Sequence, residues 1–356
     1  MTFPGQRRFL LLAGILWLAT ACSVKPLNNR GIGDNTAATG WRIQIDNDAL
    51  ATGGRDRNYT GGFLFSQSGD RTAERALSVD GWLGRINDLV DLDVASGAIL
   101  SHSMQAGILV FTPEEVSATE PIFDDHPYSN LIFLSNSRQW LSVEKKSVTR
   151  SSLMIGVLGT NAAKALQQGL HTVIDVEEAN GWENQISDGG EPTFRYSLSR
   201  SSILTSHHTT GYFSYDVSTT LEGNIGYMTG VNAGVAMRFG KINPLGRFSL
   251  PEPSDHFTFS YAPLTAKGES SEFFVMAGAN VRLRAYNVLL QGQFRESEMT
   301  FAGSELNPLI GEAWLGAGAA FSNGWLASFV LRARTKEFDA QQGNHVWGTL
   351  TVSKSL

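Results

Sequence analysis

Short windows of alternating apolar and polar residues recur along the chain from residue 41 to residue 354. Each window spans about ten residues, which is the length of a tilted transmembrane β-strand. The thirteen windows are 41–48, 59–68, 102–112, 129–143, 148–158, 193–205, 211–222, 225–239, 271–284, 286–294, 311–321, 325–336 and 346–354. The windows 271–284 and 286–294 can form one tall strand, and single-chain bacterial barrels have an even number of strands. The pattern therefore predicts twelve strands.

The two faces of these windows differ in composition. One face is rich in Gly, Ala, Ser, Thr and Gln, and the other carries Val, Leu, Phe, Met and Trp. A polar interior and a lipid-facing exterior produce this pattern, because only a closed sheet pairs every backbone group in hydrocarbon without helices. We predict an all-β fold: a twelve-stranded antiparallel transmembrane β-barrel over 41–356, with a short helical segment in a long extracellular loop. A large antiparallel sandwich or a periplasmic barrel would also explain the alternation, but less well the absence of charged outer faces.

The start of the chain has the layout of a secretory signal. Two arginines precede an apolar run over 9–19, and small residues lead to Cys22. We therefore predict a cleaved signal peptide over 1–22 and a linker over 23–40, and expect the mature chain in the bacterial outer membrane. The residues before Cys22 also form a loose lipoprotein box, so lipidation of Cys22 is the alternative to ordinary cleavage.

Composition removes several function classes. Only 17% of the residues are charged, the net charge is −6, and there is a single cysteine. Without a basic excess the chain has little with which to neutralise phosphodiesters, so we expect no nucleic-acid partner. One cysteine excludes an intramolecular disulfide framework and multi-cysteine metal sites. No feature of the sequence indicates an obligate protein partner.

The connections of an up-and-down barrel alternate between its two ends. With both termini periplasmic, the connections after odd-numbered strands are extracellular: 49–58, 113–128, 159–192, a tight turn at 223–224, 291–309 and 337–345. On the periplasmic side, residues 71–92 have apolar residues at helical spacing and predict an amphipathic segment. We favour a cap on the barrel floor, with a membrane-surface or partner role as the alternative. The periplasmic pair His207-His208 is expected to be solvated.

The residues that could perform chemistry gather in the extracellular connections. The first strand ends in Asp46-Asn47-Asp48, the second strand opens near Thr60, and the third extracellular connection holds His171 with Glu177 six residues later. A histidine beside a carboxylate can take a proton from water near neutral pH, and aspartate beside amide and carbonyl oxygens suits calcium. Together they predict an ester hydrolase that activates water beside a divalent ion. The alternatives are a solvated loop histidine and turn-forming residues at 46–48.

Two arginines could contact phosphate. Arg55 and Arg57 lie in the first extracellular connection, and a guanidinium group binds phosphate through two parallel hydrogen bonds. Exposed loop charges that aid solubility are the alternative interpretation.

Six pieces between residues 41 and 200 carry a family resemblance. In chain order they are IDND (45–48), DRNYTGG (56–62), VFTP (110–113), DHPY (125–128), LGTNAAKALQQGLH (158–171) and GWENQI (181–186). On these pieces the chain resembles the outer-membrane lipid A 3'-O-deacylases. It departs from the family in having His126 where the family has a phosphate-facing arginine. Glu114, Glu115 and Glu120 also stand where some relatives have basic residues.

The resemblance implies a function and a set of site residues. It implies hydrolysis of the 3'-linked acyloxyacyl ester of lipid A, the substrate within lipopolysaccharide, among outer-membrane lipids at an extracellular rim and with Ca²⁺. His171 is then similar to the family's general base and Glu177 to the carboxylate that orients it. Asp48 is similar to its calcium ligand, and Asn47 and Thr60 to the residues near the oxyanion.

Two other functions fit the same strands. A passive outer-membrane channel or structural barrel would not need His171 and Glu177 inside a roughly 34-residue loop. A phospholipase-type esterase would need a nucleophilic serine beside a histidine, for which His102-Ser103 is the nearest pair.

Overall fold

The computed structural model describes residues 39–51, 58–92, 94, 98–165, 179–208, 214–243 and 271–356. Twelve antiparallel strands form one closed barrel, in which each strand pairs with its sequence neighbours and β1 pairs with β12. The strands are β1 (Gly40–Asn47), β2 (Asn58–Ser68), β3 (Ile99–Thr112), β4 (Ser129–Ser142), β5 (Ser147–Leu158), β6 (Glu191–His207), β7 (Ser214–Gly226), β8 (Met228–Lys241), β9 (Glu272–Asn287), β10 (Leu309–Ala320), β11 (Trp325–Arg334) and β12 (His345–Ser355). The predicted twelve-stranded barrel is confirmed.

Among the described residues, the short helices include α1 (Asp80–Leu89) and α2 (Val288–Gln291). Among the described residues, no helix is long and apolar enough to cross a membrane. The predicted signal peptide 1–22 and residues 23–38 of the predicted linker lie outside the described residues.

Two predicted boundaries were wrong. The strand expected over 271–294 ends at Asn287, whose side-chain oxygen accepts a hydrogen bond from the backbone N–H of Leu289 (3.1 Å) and starts α2. The turn expected at 223–224 lies at Gly226 and Tyr227 instead. Gly226 has φ +131°, and a Cβ there would lie 2.1 Å from the carbonyl oxygen of Phe194. Only glycine fits such a position, so it sets the turn.

The two faces of the wall have the predicted composition. Strand β11 alternates strictly between exposed and buried residues, and β1 turns Arg42, Gln44 and Asp46 inward. The outward side chains are large and apolar, and they include Phe63, Phe65, Val235, Met237, Val275, Val281, Leu315, Phe329 and Leu331. This is the arrangement of a barrel whose outer face meets lipid.

The lumen is filled by buried ion pairs. Arg195 contacts Glu222 at 3.0 Å, and Arg238 contacts Asp216 at 2.6 Å and Glu272 at 2.8 Å. A further group joins two arginines of β11 to Glu312 of β10. A buried charge raises the free energy of the folded state unless an opposite charge lies beside it. Each of these inward-facing arginines has a carboxylate beside it.

The connections define two ends of the barrel. We call the end that holds the connections after β1, β3, β5, β7, β9 and β11 the odd rim, and the opposite end the even rim. In the long odd-rim connection after β5, residues 161–165 are helical, as predicted for a helical segment in a long loop.

The helix predicted within 71–92 is present as α1, but it does not cap the barrel floor. Ser101 and Ser103 face the lumen, so His102 between them faces outward, and it pairs across the sheet with Arg138. Asp80, the first residue of α1, lies 3.1 Å from the His102 ring and accepts hydrogen bonds from Arg138 at 3.0 and 2.7 Å. The helix therefore packs on the outer face of the wall.

The prediction from apolar spacing was wrong because polar residues of α1 form its hydrogen bonds with the barrel wall. Asn87 donates to Ser151 Oγ at 2.9 Å and accepts from the Tyr196 hydroxyl at 3.1 Å. Among the apolar residues at helical spacing in 71–92, which include Leu83, Ile86 and Leu89, Leu83 is fully buried whereas Leu89 is 85% exposed. Burial would raise the pKa of Asp80, but the hydrogen bonds from His102 and Arg138 lower it to about 2. Asp80 is therefore anionic at neutral pH.

Candidate functional site at the odd rim

The end of β1 places Asn47 and Asp48 at the odd rim. Asn47 caps a short 3₁₀ turn over Asp48–Leu50: its side-chain oxygen accepts a hydrogen bond from the Ala49 N–H at 2.8 Å. The Asn47 amide nitrogen donates to the carbonyl oxygen of Thr60 at 3.1 Å. Asp48 is buried in the first position of the turn. Asn47 and Thr60 are thus in contact at the odd rim, and Asp48 follows Asn47 directly in the chain.

A β-bulge sets the direction of Thr60. Tyr59 pairs with Phe111 and Gly61 pairs with Val110, which leaves Thr60 as the extra residue of β2. A bulge re-aims side chains, and here Tyr59 and Thr60 are both buried although they are consecutive. The Thr60 hydroxyl lies 2.7 Å from the hydroxyl of Thr112 on β3. The second strand therefore contributes an oriented hydroxyl to the rim.

A polar and aromatic layer supports these residues from below. The Tyr59 hydroxyl donates to Asp46 Oδ2 at 2.8 Å, and the same carboxylate accepts from Gln44 at 3.1 Å. The Tyr59 ring meets Trp347 edge to face at 5.8 Å, and Arg332 lies over Trp347 at 4.6 Å. The bulged segment thus rests on side chains that are themselves held in place.

Two glycines after the bulge allow this packing. A Cβ on Gly61 would lie 2.7 Å from the Asp46 carbonyl oxygen, and a Cβ on Gly62 would lie 2.4 Å from the Tyr59 hydroxyl. Both distances are shorter than a van der Waals contact, so the sequence Thr60-Gly61-Gly62 is a packing requirement of the rim.

We expect Gly62→Ala to disturb the rim without preventing barrel assembly. The new methyl group would displace the Tyr59 hydroxyl from Asp46, and overpacking of this kind costs about 1–3 kcal/mol. The temperature at which the barrel unfolds, measured by heat-modifiable electrophoretic migration, should fall. Gly223→Ala is the matched control, because a Cβ at Gly223 meets nothing within 4 Å. Equal transition temperatures for the two variants would contradict this assignment.

The odd-rim connections after β3 and β5 are packed against each other. Tyr128 and Trp182 have ring centroids 4.8 Å apart, in a cluster with Val110, Ala163 and Ala179. The side chain of Asn130 bonds Thr160 and Gln185, which flank the long connection. Both described ends of the segment 166–178 are therefore fixed to the wall beside Val110.

His126 has a structural role in the loop after β3. Its ring stacks on Phe111 at 5.1 Å and its Nδ1 lies 2.8 Å from the Pro127 carbonyl oxygen. Burial lowers the pKa of His126, so the ring is neutral at neutral pH. Asp125 accepts from the backbone N–H groups of Glu114 and His126, both at 2.7 Å. The residue at 126 therefore packs inward rather than presenting a charge to phosphate.

Some predicted site residues lie outside the described residues. These are His171, Glu177, Arg55 and Arg57. Within the described part of the chain, no group of three or more His, Cys, Asp or Glu side chains could hold a metal ion. Asp48 supplies a carboxylate, and Asn47 and Thr60 supply neutral oxygens. That chemistry suits calcium, although the set needs further oxygen ligands.

The serine-dependent alternative loses its nearest candidate. Ser103 faces the lumen, whereas His102 faces outward and contacts Asp80. The two side chains lie on opposite faces of β3 and form no catalytic pair.

At the even rim, His207 is exposed, as predicted, and stacks on Tyr215 at 5.9 Å, while His208 is half-buried.

Sequence reasoning missed the layer under the rim. Nothing in the alternation of β1 marks Asp46 as the acceptor for Tyr59, and Thr112 was noted only as part of a motif. The adjacent glycines at 61 and 62 were the available signal, because glycine inside a strand often marks a bulge or a close approach.

The comparisons with known proteins concern the family and the barrel fold. The sequence matches the family described as "Outer membrane protein LpxR" over residues 10–356. No curated protein matches it significantly. The solved structure of LpxR from Salmonella typhimurium is similar with a TM-score of 0.66 at 17% identity, covering 89% of this chain and 100% of that chain. The β domain of the Bordetella autotransporter BrkA reaches a TM-score of 0.45 at 8% identity, covering 90% of this chain and 100% of that chain.

These likenesses carry different weight. The solved LpxR structure shows the same fold, whereas the family match spans nearly the whole sequence. The chain therefore belongs to the LpxR family of outer membrane proteins.

Proposed function

We propose that this protein is a calcium-dependent lipid A 3'-O-deacylase, with its site at the odd rim on the extracellular side. One observation carries the proposal. Both described ends of the segment that holds His171 and Glu177 pack beside Val110, which pairs with Gly61, the neighbour of Thr60. Thr60 in turn binds Asn47. The residues implied by the family resemblance thus belong to connections that meet on one part of the rim.

In the proposed reaction His171 takes a proton from water, and the water oxygen attacks the ester carbonyl carbon. Asn47 and Thr60 lie near the oxyanion that forms. The bond between that carbon and the lipid A oxygen then breaks, and the His171 imidazolium returns the proton to the leaving oxygen, which becomes a hydroxyl group. A fatty acid and a lipid A alcohol result. Glu177 holds the imidazole ring and stabilises its protonated form.

Asp48 would hold calcium together with neutral oxygens of the rim. Bound there, the ion would supply positive charge close to the ester oxygen. Asp48 suits this role because its backbone is fixed by the Asn47 cap and its side chain is buried at the rim.

Contacts to the lipid A phosphates are assigned to Arg55 and Arg57, because His126 packs against Phe111 instead. Glu114 and Glu115 lie at the start of the loop after β3, where an anionic headgroup would be repelled. The substrate therefore approaches from the side of the first connection.

The packing of the lumen favours an enzyme scaffold over a passive channel. The side chains that line an aqueous pore are exposed to water, whereas Arg195, Arg238 and Glu312 are each at most 3% exposed. Their ion pairs make the wall rigid below the rim, which suits a site that must hold its geometry.

Mass spectrometry of lipid A tests the proposal. Cells that express the protein with calcium present should lose the mass of the 3'-linked acyloxyacyl group, and cells without the protein should keep it. Unchanged lipid A in cells with folded, surface-exposed protein would exclude the activity.

Glu177→Gln should lower the rate while keeping the fold and the calcium response. An amide can still accept a hydrogen bond from the imidazole ring, but it no longer stabilises the imidazolium. Glu178→Gln is the matched control and should be nearly silent. If Glu178→Gln lowers the rate and Glu177→Gln does not, then the alignment with the family, which gives Glu177 the role of orienting carboxylate, is wrong by one residue.

A further inference from the structure

The outer wall has a polar patch on the β3–β5 sector close to the even rim. His102 is the fourth residue of β3 from that end, Arg138 is the fifth from the end of β4, and Ser151 is the fifth residue of β5. These three side chains face outward along one line of paired residues. A charged guanidinium in this position would face lipid without cover.

Aromatic residues lie on the outer face near this rim. Within three residues of the even-rim ends of their strands, the outward aromatic side chains include Trp41, Trp140, Tyr215, Phe239, Phe273 and Trp325. Aromatic girdles mark the boundary between headgroups and hydrocarbon in outer-membrane barrels. The polar patch therefore lies one or two residues deeper than the girdle, on the hydrocarbon side of it.

Helix α1 covers this patch. It crosses the strands, with Asp80 on His102 and Arg138 at its start and Asn87 on Ser151 and Tyr196 near its end. A Cβ on Gly84 would lie 2.7 Å from the Arg138 guanidinium, so the helix approaches the wall closely. The polar groups of the patch are thus paired with the helix rather than with lipid.

The other side of α1 is apolar along one stripe. Trp82 is 69% exposed and Leu89 is 85% exposed, and with half-buried Ile86 they follow the i, i+4, i+7 spacing of one helix face. Arg85 and Asp88 form the adjoining charged stripe. Contiguous exposed apolar side chains mark protein–protein or membrane interaction sites.

We propose that α1 is an interfacial membrane helix that inserts its Trp82–Ile86–Leu89 stripe into the phospholipid leaflet at the even rim. The occupant is phospholipid because Asp80 and Asn87 hold α1 against the lipid-facing wall, over a patch on the hydrocarbon side of the girdle. This inference rests on the proposed function, which puts the even rim on the periplasmic side. The charged stripe then faces the headgroups and water. The helix replaces a polar section of the wall with an apolar surface, and so completes the belt around the barrel.

Spin labels test this insertion directly. The only cysteine, Cys22, is replaced by serine, and Leu89→Cys and Asp88→Cys are labelled with a nitroxide in protein reconstituted into phosphatidylethanolamine–phosphatidylglycerol vesicles. Collision with oxygen, which concentrates in hydrocarbon, is compared with collision with a water-soluble nickel chelate. The ratio of oxygen to nickel accessibility should be several-fold higher at Leu89 than at Asp88, and close to that of a label on the wall at Val275.

A second pair keeps the test decisive. If Leu89→Cys or Asp88→Cys does not fold, as judged by the loss of heat-modifiable electrophoretic migration, then Trp82→Cys and Arg85→Cys are compared instead. Equal nickel accessibility in both stripes would overturn the proposal. So would a Leu89 label that is shielded in native envelopes but not in pure vesicles, because that result indicates a protein partner.

Discussion

His171→Asn should abolish ester hydrolysis while the barrel still folds. Loss of a general base costs about 10²- to 10⁴-fold in rate, and asparagine cannot take the proton from water at neutral pH. The segment 166–178 lies in a connection whose described ends are fixed by Ala163 and Ala179, so the substitution should leave the wall intact. The rate of lipid A deacylation measures the activity, and heat-modifiable electrophoretic migration shows whether the barrel has folded.

His207→Asn is the matched control for this variant. His207 is exposed at the even rim and stacks on Tyr215, far from the proposed site along the strand. It should retain full activity. A His171→Asn enzyme within a few-fold of the unmodified protein would remove His171 from the mechanism.

The faces of the strands were predictable because their period of two is a local property. In β11 each outward residue is apolar or small and the inward residues include Arg332 and Arg334, which any sequence window reveals. The ends of strands were less predictable. The β7–β8 turn depends on the positive φ of Gly226, and Gly223 in the same stretch is an equally good turn residue by composition.

The position of α1 could not be derived from its own pattern. Helical spacing identified the segment, but its location depends on Asp80 and Asn87 meeting Arg138 and Ser151, which lie more than fifty residues away in the chain. The apolar spacing predicts that Leu83 and Leu89 face the same way, whereas Leu83 is buried together with the polar Asp80 and Asn87, and Leu89 is exposed.

The candidate site was predictable in its residues more than in its geometry. Asn47, Asp48 and Thr60 came from the family resemblance, and the contact between Asn47 and the Thr60 carbonyl joins them at the rim. The bulge at Thr60 is a property of strand pairing, since it appears only when β2 is aligned with β3. Single-strand periodicity could not predict it.

Asp48→Ala should reproduce the effect of calcium removal. In the proposed site Asp48 supplies the charged oxygen ligand, and even partners outside the coordination shell change metal affinity about 10- to 100-fold when removed. The loss in calcium affinity should be at least that large, and excess calcium should restore activity partly or not at all. Calcium titration of the deacylation rate measures the effect. Asp70→Ala, at an exposed aspartate of the even rim, is the control and should leave the titration unchanged. Full activity of the unmodified protein in a strong chelator would exclude a calcium mechanism, because the reaction would then proceed at a rim that holds no calcium.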